Sequence, residues 1–567
     1  MREKINTINI TDMSVEDTKR LNEISERYRK PYTELVGKLS ECEDDYWWYT
    51  AFSSRNTSID SCFYECCCLR LIYERIKEDF LNVITVPTDS LGRAVKANLS
   101  ILSKEGQNKI EVKCRKRRGV GRRSFVRGSW ILHAADAMLS CRRIRKIYQP
   151  ADSKKIAGNE VTLVTTFVEG AAFSKEGFKD RYFPGLKENA DDLIVFFLSV
   201  SGNKKEQEYI ANELSKMEGY IPYEAYVEKE DFFNIISFIK WSRSYTMSNV
   251  IFGGMDITPI ILHSIRNCTS IETIINGMLK VEAIKRFTNR YGIRLKAVID
   301  WYEGQPSSNI LFASKRDIGK DTVFVAYEAS PLGENYISQY PGIYQIENGK
   351  GADFYTVQGN GWTEKTKQFC QNIYVIEAPS FRYKDAVQQS ADLVDTWGAD
   401  KNLLVILSYF VEDSKKMLET VFRTKVARRF EKVYIKNHPN NLNMRLKDYG
   451  ISDSDIIGVN YEFVSGLMKD ALRLASNVLI GQTTSAIEIL LGGGNIVFFG
   501  FCGKLINYFL PDGVPMMETV YDEKDIDECF EKERYCLNTK DKEKLRELSF
   551  IAVNKKTVKD FLDIGEN

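Results

Sequence analysis

The stretch from Asn477 to Gly500, Asn-Val-Leu-Ile-Gly-Gln-Thr-Thr-Ser-Ala-Ile-Glu-Ile-Leu-Leu-Gly-Gly-Gly-Asn-Ile-Val-Phe-Phe-Gly, leaves little choice of architecture. Val478 to Ile480 is a short apolar run, as a buried strand would be. Gly481 and Gln482 make a tight turn, and the hydroxyls of Thr483, Thr484 and Ser485 stand where a helix should begin. Ala486 to Leu491 is good helical sequence, closed by Gly492-Gly493-Gly494 before a second buried strand, Ile496 to Phe499. Strand, turn, helix, strand is one unit of a parallel sheet with helices on its faces. The helix start offers free N–H groups and a positive dipole end to an anion. The plainer reading is that Thr484 or Ser485 is an N-cap.

The same alternation runs through much of the chain. Val161 to Phe167, Leu193 to Val200, Ile293 to Asp300, Thr322 to Ala326 and Ile373 to Ile376 read as strands. Helical patterns lie between them at Lys204 to Met217, Asp231 to Trp241 and Pro259 to Tyr291. A second series follows: strands at Leu403 to Leu407, Val433 to Ile435 and Asp455 to Val459, helices at Asp413 to Phe422 and Phe463 to Ser476. After Phe499 a helix near Lys504 to Phe509 and a strand-like Glu518 to Tyr521 are expected. Such alternation predicts an α/β chain with doubly wound, largely parallel sheets. At 567 residues it is too long for one core. The expected division is a helical, aromatic segment over 1–80, a Rossmann-like domain over 81–380, a second over 381–530, and terminal helices over 531–567. The first strand, Leu81 to Val86, is followed by a helix from Asp89 to Ser100 and a strand near Lys109 to Lys113. The linker is placed near 378–400.

Composition excludes several functions. The net charge of +1 gives no global attraction to nucleic acid, so none is expected as a partner. The twelve cysteines follow no zinc spacing, and Cys62 and Cys66-Cys67-Cys68 sit in an apolar stretch as reduced core thiols. With a polar start from Met1 to Ser14, this points to a reducing cytoplasm. Only three histidines exist, His133, His263 and His438, so a His-rich metal centre is excluded. The run Lys113 to Lys146 contains Arg115-Lys116-Arg117-Arg118, Arg122-Arg123 and Arg142-Arg143-Ile144-Arg145-Lys146. It reads as a solvated loop and helix face, or as a peripheral contact with the inner face of an anionic membrane.

Neither a P-loop nor a strand-following G-x-G-x-x-G is present. Asp453-Ser-Asp455 and Asp525-Ile-Asp527 have the spacing of a metal-bridged sugar-nucleotide site, a spacing common by accident in charged loops. Glu303 follows the strand ending at Asp300, within Trp301-Tyr302-Glu303-Gly304-Gln305-Pro306, where open α/β sheets place their sites. It is a candidate general base, with Asp300 as runner-up; the alternative is a carboxylate turned to water. Lys436-Asn437-His438-Pro439 ends one strand, and Thr483-Thr484-Ser485-x-x-Glu488 opens a helix two strands later, both at the same sheet edge. Lys436 and His438 supply charge and directed hydrogen bonds, and Pro439 fixes the turn. The hydroxyls and N–H groups of Thr484 and Ser485 hold phosphate, Glu488 is placed for ribose hydroxyls, and Gln482, Thr483 and, after the neighbouring strand, Ser408 join them as nucleotide-binding residues.

His438-Pro439 followed by Thr484-Ser485 resembles the C-terminal domain of GT-B glycosyltransferases that use CMP-activated sugars, among them bacterial sialyl-, polysialyl- and Kdo-transferases. In such families the hydroxyl pair is often Ser-Ser. Trp47-Trp48 with Arg55-Asn56, Tyr302 to Pro306 and Ala378-Pro379-Ser380-Phe381-Arg382-Tyr383 are similar to segments of related surface carbohydrate biosynthesis proteins. A Trp-Trp pair is first of all core packing. The resemblance implies a GT-B-like fold, two Rossmann-like domains facing a cleft, with the donor mostly on the C-terminal one and the acceptor on the N-terminal one. It implies an inverting, metal-independent transfer of a CMP-activated, Kdo- or sialic-acid-like sugar to a capsule or lipopolysaccharide acceptor. The nucleotide sugar is the substrate and no further cofactor is implied. A CDP-glycerol or CDP-ribitol phosphotransferase of teichoic-acid type looks alike in the C-terminal domain. A non-catalytic polymer- or membrane-binding assembly factor is the third reading.

Overall fold

The computed structural model describes residues 7–42, 44–78, 82–102, 110–115, 129–150, 153–174, 177–328, 330–384, 387, 401–514, 519–531, 537 and 539–564. Most of the expected linker and the basic residues 116–128 lie outside them.

Two parallel sheets organise the molecule. The first has seven strands: β1 (Glu160–Val168), β2 (Ile194–Val200), β3 (Tyr220–Pro222), β4 (Arg294–Tyr302), β5 (Val323–Glu328), β6 (Phe354–Val357) and β7 (Tyr374–Glu377), in the spatial order 7-6-5-4-1-2-3. The second has six: β8 (Asn402–Ile406), β9 (Lys432–Lys436), β10 (Tyr461–Val464), β11 (Asn477–Ile480), β12 (Asn495–Phe499) and β13 (Thr519–Val520), ordered 10-9-8-11-12-13. Every pairing within them is parallel. Each sheet therefore starts in its middle, winds one way, then returns and winds the other. The reversal leaves a crevice beyond the carboxyl ends of β1 and β4 in one lobe, and of β8 and β11 in the other. Central strands such as Ile194–Val200 are buried along almost their whole length, because helices cover both faces. This is the GT-B-like arrangement, two Rossmann-like lobes facing a cleft, with a helical N-terminal extension.

The extension contains α1 (Val15–Leu39) and α2 (Cys62–Glu78). It also carries a small parallel sheet of Thr7–Asn9, Val83–Val86 and Glu111–Cys114. The strand expected at the start of the first Rossmann sheet thus pairs here instead. Cys62, Cys66, Cys67 and Cys68 are buried, and burial raises the first three thiols well above the usual range. Buried apolar residues of α1 and α2 belong to the same core as one face of the C-terminal sheet, including Val478, Ile480 and Phe498. The extension therefore ties the two lobes together.

Four expected elements are altered. The helical pattern over 259–291 is broken into α3 (Thr258–Arg266) and α4 (Ile271–Tyr291), because Cys268 and Ser270 take left-handed φ of 48° and 58°. The strand expected at 455–459 lies at Tyr461–Val464, which shortens the following helix to Met468–Leu472. β4 runs on to Tyr302, so Asp300 lies inside the strand. Residues 505–510 form no helix. Their backbone is held by hydrogen bonds from both sides: Asn22 Nδ2 donates to Lys504 O (3.1 Å) and the Ile506 N–H to Asn22 Oδ1 (2.8 Å). Asn335 Nδ2 donates to Ile506 O (2.7 Å), and the Tyr508 N–H to Glu334 (2.8 Å). A segment whose polar backbone groups are claimed by neighbours has no reason to coil on itself.

Candidate functional site

A cleft of about 1260 Å³ has residues of 57–65, 87–90 and 260–272, from the N-terminal extension, α3 and the start of α4, as one wall, and Ser408, Tyr409, Phe410, Gln482 and Lys504, beside the second sheet's crevice, as the other. The first sheet's crevice holds a separate, smaller recess lined by Thr165, Thr166, Lys280, Asp300 and Glu303.

Glu303 stands just past β4. Trp301 Nε1 donates to its Oε1 (3.0 Å) and Gln305 Nε2 to its Oε2 (2.9 Å), so both carboxylate oxygens are oriented. Trp301 is fixed in turn by packing on Tyr327, Tyr182 and Phe183. The backbone of the turn is held by Asn56, whose Nδ2 donates to the carbonyls of Glu303 (3.3 Å) and Gly304 (3.2 Å). Gly304 has φ of 62°, and a Cβ there would meet Ser338 at 2.5 Å. Gly304→Ala is therefore expected to destabilise the protein by about 1–3 kcal/mol, read as a lower urea midpoint, together with loss of activity. The three segments that carry the resemblance meet here. Trp47 is buried against Phe52, Asn56 braces the turn, and Tyr327 donates to Pro379 O (2.7 Å) while stacking on Trp301.

Asp300 is a different kind of carboxylate. It is 2 % exposed, accepts from the Thr165 hydroxyl, and is paired with Lys280 at 3.0 Å. Register explains this, since Asp300 lies directly opposite Thr165 on β1. Its Oδ1 is committed to a buried pair, which argues against the runner-up role of free base.

On the C-terminal side, His438 follows β9. Its Nδ1 accepts the Asn440 N–H (3.2 Å), which leaves Nε2 as the protonated nitrogen. Burial, and then the charge of Arg382, hold His438 below the usual histidine range, so it is a neutral donor at physiological pH. Lys436 donates to Gly466 O (2.6 Å), and burial lowers it from the usual lysine value. Pro439 opens a short 3-10 turn. The helix expected at 486–491 is present, with Ser485 at its N-cap but making no side-chain cap bond. Thr483 Oγ1 instead accepts the Ser485 N–H (3.2 Å).

Two expected nucleotide-binding residues have their polar atoms committed within the fold. The Ser408 hydroxyl accepts the Phe410 N–H (3.1 Å) and pins the turn. Gln482 donates to Leu505 O (2.8 Å) and accepts from Asn507 (3.0 Å), so its amide belongs to the interlobe latch at 503–508. Asp455 accepts the Ser452 N–H (2.8 Å) and pairs with Arg423 at 3.5 Å. Among the described residues no three His, Cys, Asp or Glu side chains cluster as metal ligands would.

Arg382 and Tyr383 lie in the segment that leaves the first sheet. The Arg382 charge acts on His438 and Glu488 of one lobe and on Tyr182 of the other, and Tyr182 also feels Glu303. The buried Tyr383 hydroxyl faces Thr484. Composition and period give no signal for Arg382, which is marked only by its place in the Ala378 to Tyr383 segment. Burial pushes Glu488 up to about 6, against the pull of Arg382 and Lys436. A carboxyl raised in the fold favours the protonated form, so this contribution is complete below about 4.5 and is lost as pH rises through about 6. Glu488→Gln is expected to raise stability by on the order of 1–2 kcal/mol at pH 7.5 and to leave it unchanged at pH 4, measured as paired thermal melts.

No family model and no curated protein matches the sequence. Among solved structures, the chain is similar to the N-terminal domain of Candida albicans trehalose-6-phosphate phosphatase, at 11 % identity over 71 % of this chain and 98 % of that one, TM-score 0.34. It is similar to Acinetobacter baumannii MurG at 10 % identity over 71 % and 99 %, TM-score 0.33. The wall teichoic acid polymerase TagF aligns at 9 % identity over 77 % and 96 %, TM-score 0.30. At this degree of superposition the likeness carries no functional argument, and the assignment below rests on the residues of the cleft.

Proposed function

We propose that this chain is an inverting, nucleotide-sugar-dependent glycosyltransferase. What supports it most is the combination of a carboxylate oriented by two donors just past β4 with an imidazole, held neutral by burial and by Arg382, just past β9. In this reading Glu303 takes the proton of an acceptor hydroxyl, whose oxygen attacks the anomeric carbon as the bond to the nucleotide phosphate breaks. The transition state is oxocarbenium-like. Negative charge grows on the leaving phosphate, where the Nε2–H of His438, the charges of Lys436 and Arg382, and the hydroxyls of Thr484 and Ser485 receive it. The donor class is a CMP-activated, Kdo- or sialic-acid-like sugar and the acceptor a surface glycan or glycolipid. The runner-up is a CDP-alcohol phosphotransferase. A thermal-shift screen with CMP, CDP, UDP and GDP tests the reading: stabilisation by cytidine nucleotides supports it, and no shift with any of the four overturns it. Nucleotide release from CMP-sugar against CDP-glycerol then separates transferase from phosphotransferase.

A glycolipid acceptor requires access to a membrane surface. The helix Ser129–Ile147 is anchored by buried Cys141 and Ile144, while Ile131, Leu132, Met138 and Leu139 are 42–61 % exposed on its first turns. Arg142, Arg145 and Lys146 are exposed beside them. An apolar stripe flanked by cations is the pattern of an interfacial helix. The protein is expected to float with phosphatidylglycerol-rich vesicles at low salt, and Leu132→Ser/Leu139→Ser to stay in solution. Equal flotation of the variant removes this helix from membrane contact.

A further inference from the structure

Tyr409 and Phe410 are large aromatic side chains that the fold leaves 56 % and 48 % exposed, on the loop that leaves β8 at the second sheet's crevice. Both line the interlobe cleft. The loop is not loose. The Ser408 hydroxyl donates to Phe410 O (3.3 Å) as well as accepting its N–H, and Asn441 Nδ2 donates to Tyr409 O (3.1 Å). The two rings stand 5.1 Å apart at 86°, forming a corner rather than a stack. Lys504 lies 5.3 Å from the Phe410 ring and is paired with Asp413, which makes Phe410 the side wall. Tyr409 is the open face. On its other side it meets the His438 imidazole, 5.3 Å away at 88°.

Two exposed rings on a pinned backbone are costly to leave wet unless something flat covers them. What covers them is indicated by what lies next to them. Tyr409 joins His438, the neutral Nε2–H donor, to the wide part of the cleft. A phosphate held at that imidazole places whatever it is esterified to over the Tyr409 ring, and a nucleoside puts its flat base there.

We propose that Tyr409 and Phe410 form the base-stacking platform of the donor site, with Tyr409 under the nucleobase and Phe410 at its edge. This rests on the glycosyltransferase reading and deepens it, because it separates two contributions to donor binding. His438 and Lys436 hold the phosphate, and the aromatic corner holds the base. Stacking is tolerant of base identity, since every base has a π-face, so the corner contributes affinity and not choice among bases.

The experiment is calorimetric titration of the full-length protein with CMP and with ribose 5-phosphate, which keeps the phosphate and lacks the base. Base–aromatic stacking of about 1–3 kcal/mol corresponds to about 5- to 150-fold in affinity. Tyr409→Ala/Phe410→Ala is expected to weaken CMP by that factor while ribose 5-phosphate binds as before. Tyr409→Trp is expected to retain CMP affinity. Because both side chains are half in solvent, the melting temperature of the double variant should match wild type. Unchanged CMP affinity in the double variant overturns the proposal, as does an equal loss for both ligands. Binding of neither ligand by the wild-type protein overturns the donor-site reading itself.

Discussion

Glu303→Gln is expected to lower turnover by about 10²–10⁴-fold at saturating donor and acceptor, with CMP affinity unchanged. The amide keeps the shape of the carboxylate. Trp301 still donates to Oε1, and Gln305, whose side chain can turn over, presents its carbonyl to the new amide. What is lost is the lone pair that accepts the acceptor's proton. Turnover is followed as CMP release with acceptor present, and CMP affinity as thermal shift. A substitution confined to the reacting proton leaves donor affinity intact, because the donor contacts proposed above, Lys436, His438 and Thr484, lie on the other lobe. Undiminished turnover would place the base elsewhere. Asp300 is a poor substitute: its Oδ1 is paired with Lys280 and hydrogen-bonded by Thr165, so Asp300→Asn is expected to reduce stability by stranding a mostly buried ammonium.

Much of the fold was legible because a parallel sheet buried on both faces writes itself as short apolar runs. Ile194–Val200, Asn402–Ile406 and Asn477–Ile480 lie within a residue of the runs that announced them. The failures share a cause. A local pattern was read where a distant partner decides. Val83–Val86 is a strand, but its neighbours are Thr7–Asn9 and Glu111–Cys114, and the three-residue run at 7–9 is too short to show a period. Residues 505–510 look amphipathic, yet Asn22, Glu334 and Asn335 take their backbone groups. The break between α3 and α4 had a signal, the polar cluster Asn267-Cys268-Thr269-Ser270, outweighed by apolar residues on both sides.

The site divides in the same way. Positions at strand ends were legible: Glu303, Lys436 and His438 stand at the carboxyl edge because the chain must turn there. Side-chain commitments were not. Whether Gln482 meets a ligand or a backbone carbonyl depends on Leu505, twenty-three positions on. Ser408 is a nucleotide-binding candidate by its place at the turn, and it opens that turn by bonding Phe410. Arg382 was visible only as part of a motif, since its charge acts on His438 and Glu488, more than fifty positions along the chain.

His438→Ala is expected to lower turnover by about 10²–10³-fold, the usual loss when one preorganised donor to a developing anion is removed. The imidazole is preorganised: the Asn440 N–H occupies Nδ1, which assigns the proton to Nε2. Burial and Arg382 hold the group neutral, so its contribution should not change as pH is raised through the normal histidine range. A wild-type rate–pH profile that falls on raising pH through about 6.5 would instead require an imidazolium and would reverse the assignment. His438→Gln, which restores a donor of similar reach, should recover part of the loss, whereas a purely structural histidine would not be rescued by a planar amide. Ground-state CMP affinity should fall less than turnover in His438→Ala, because the phosphate gains charge only as the glycosidic bond breaks. Equal losses in affinity and turnover would make His438 a simple phosphate-binding residue and shift the transition-state role to Arg382 and Lys436.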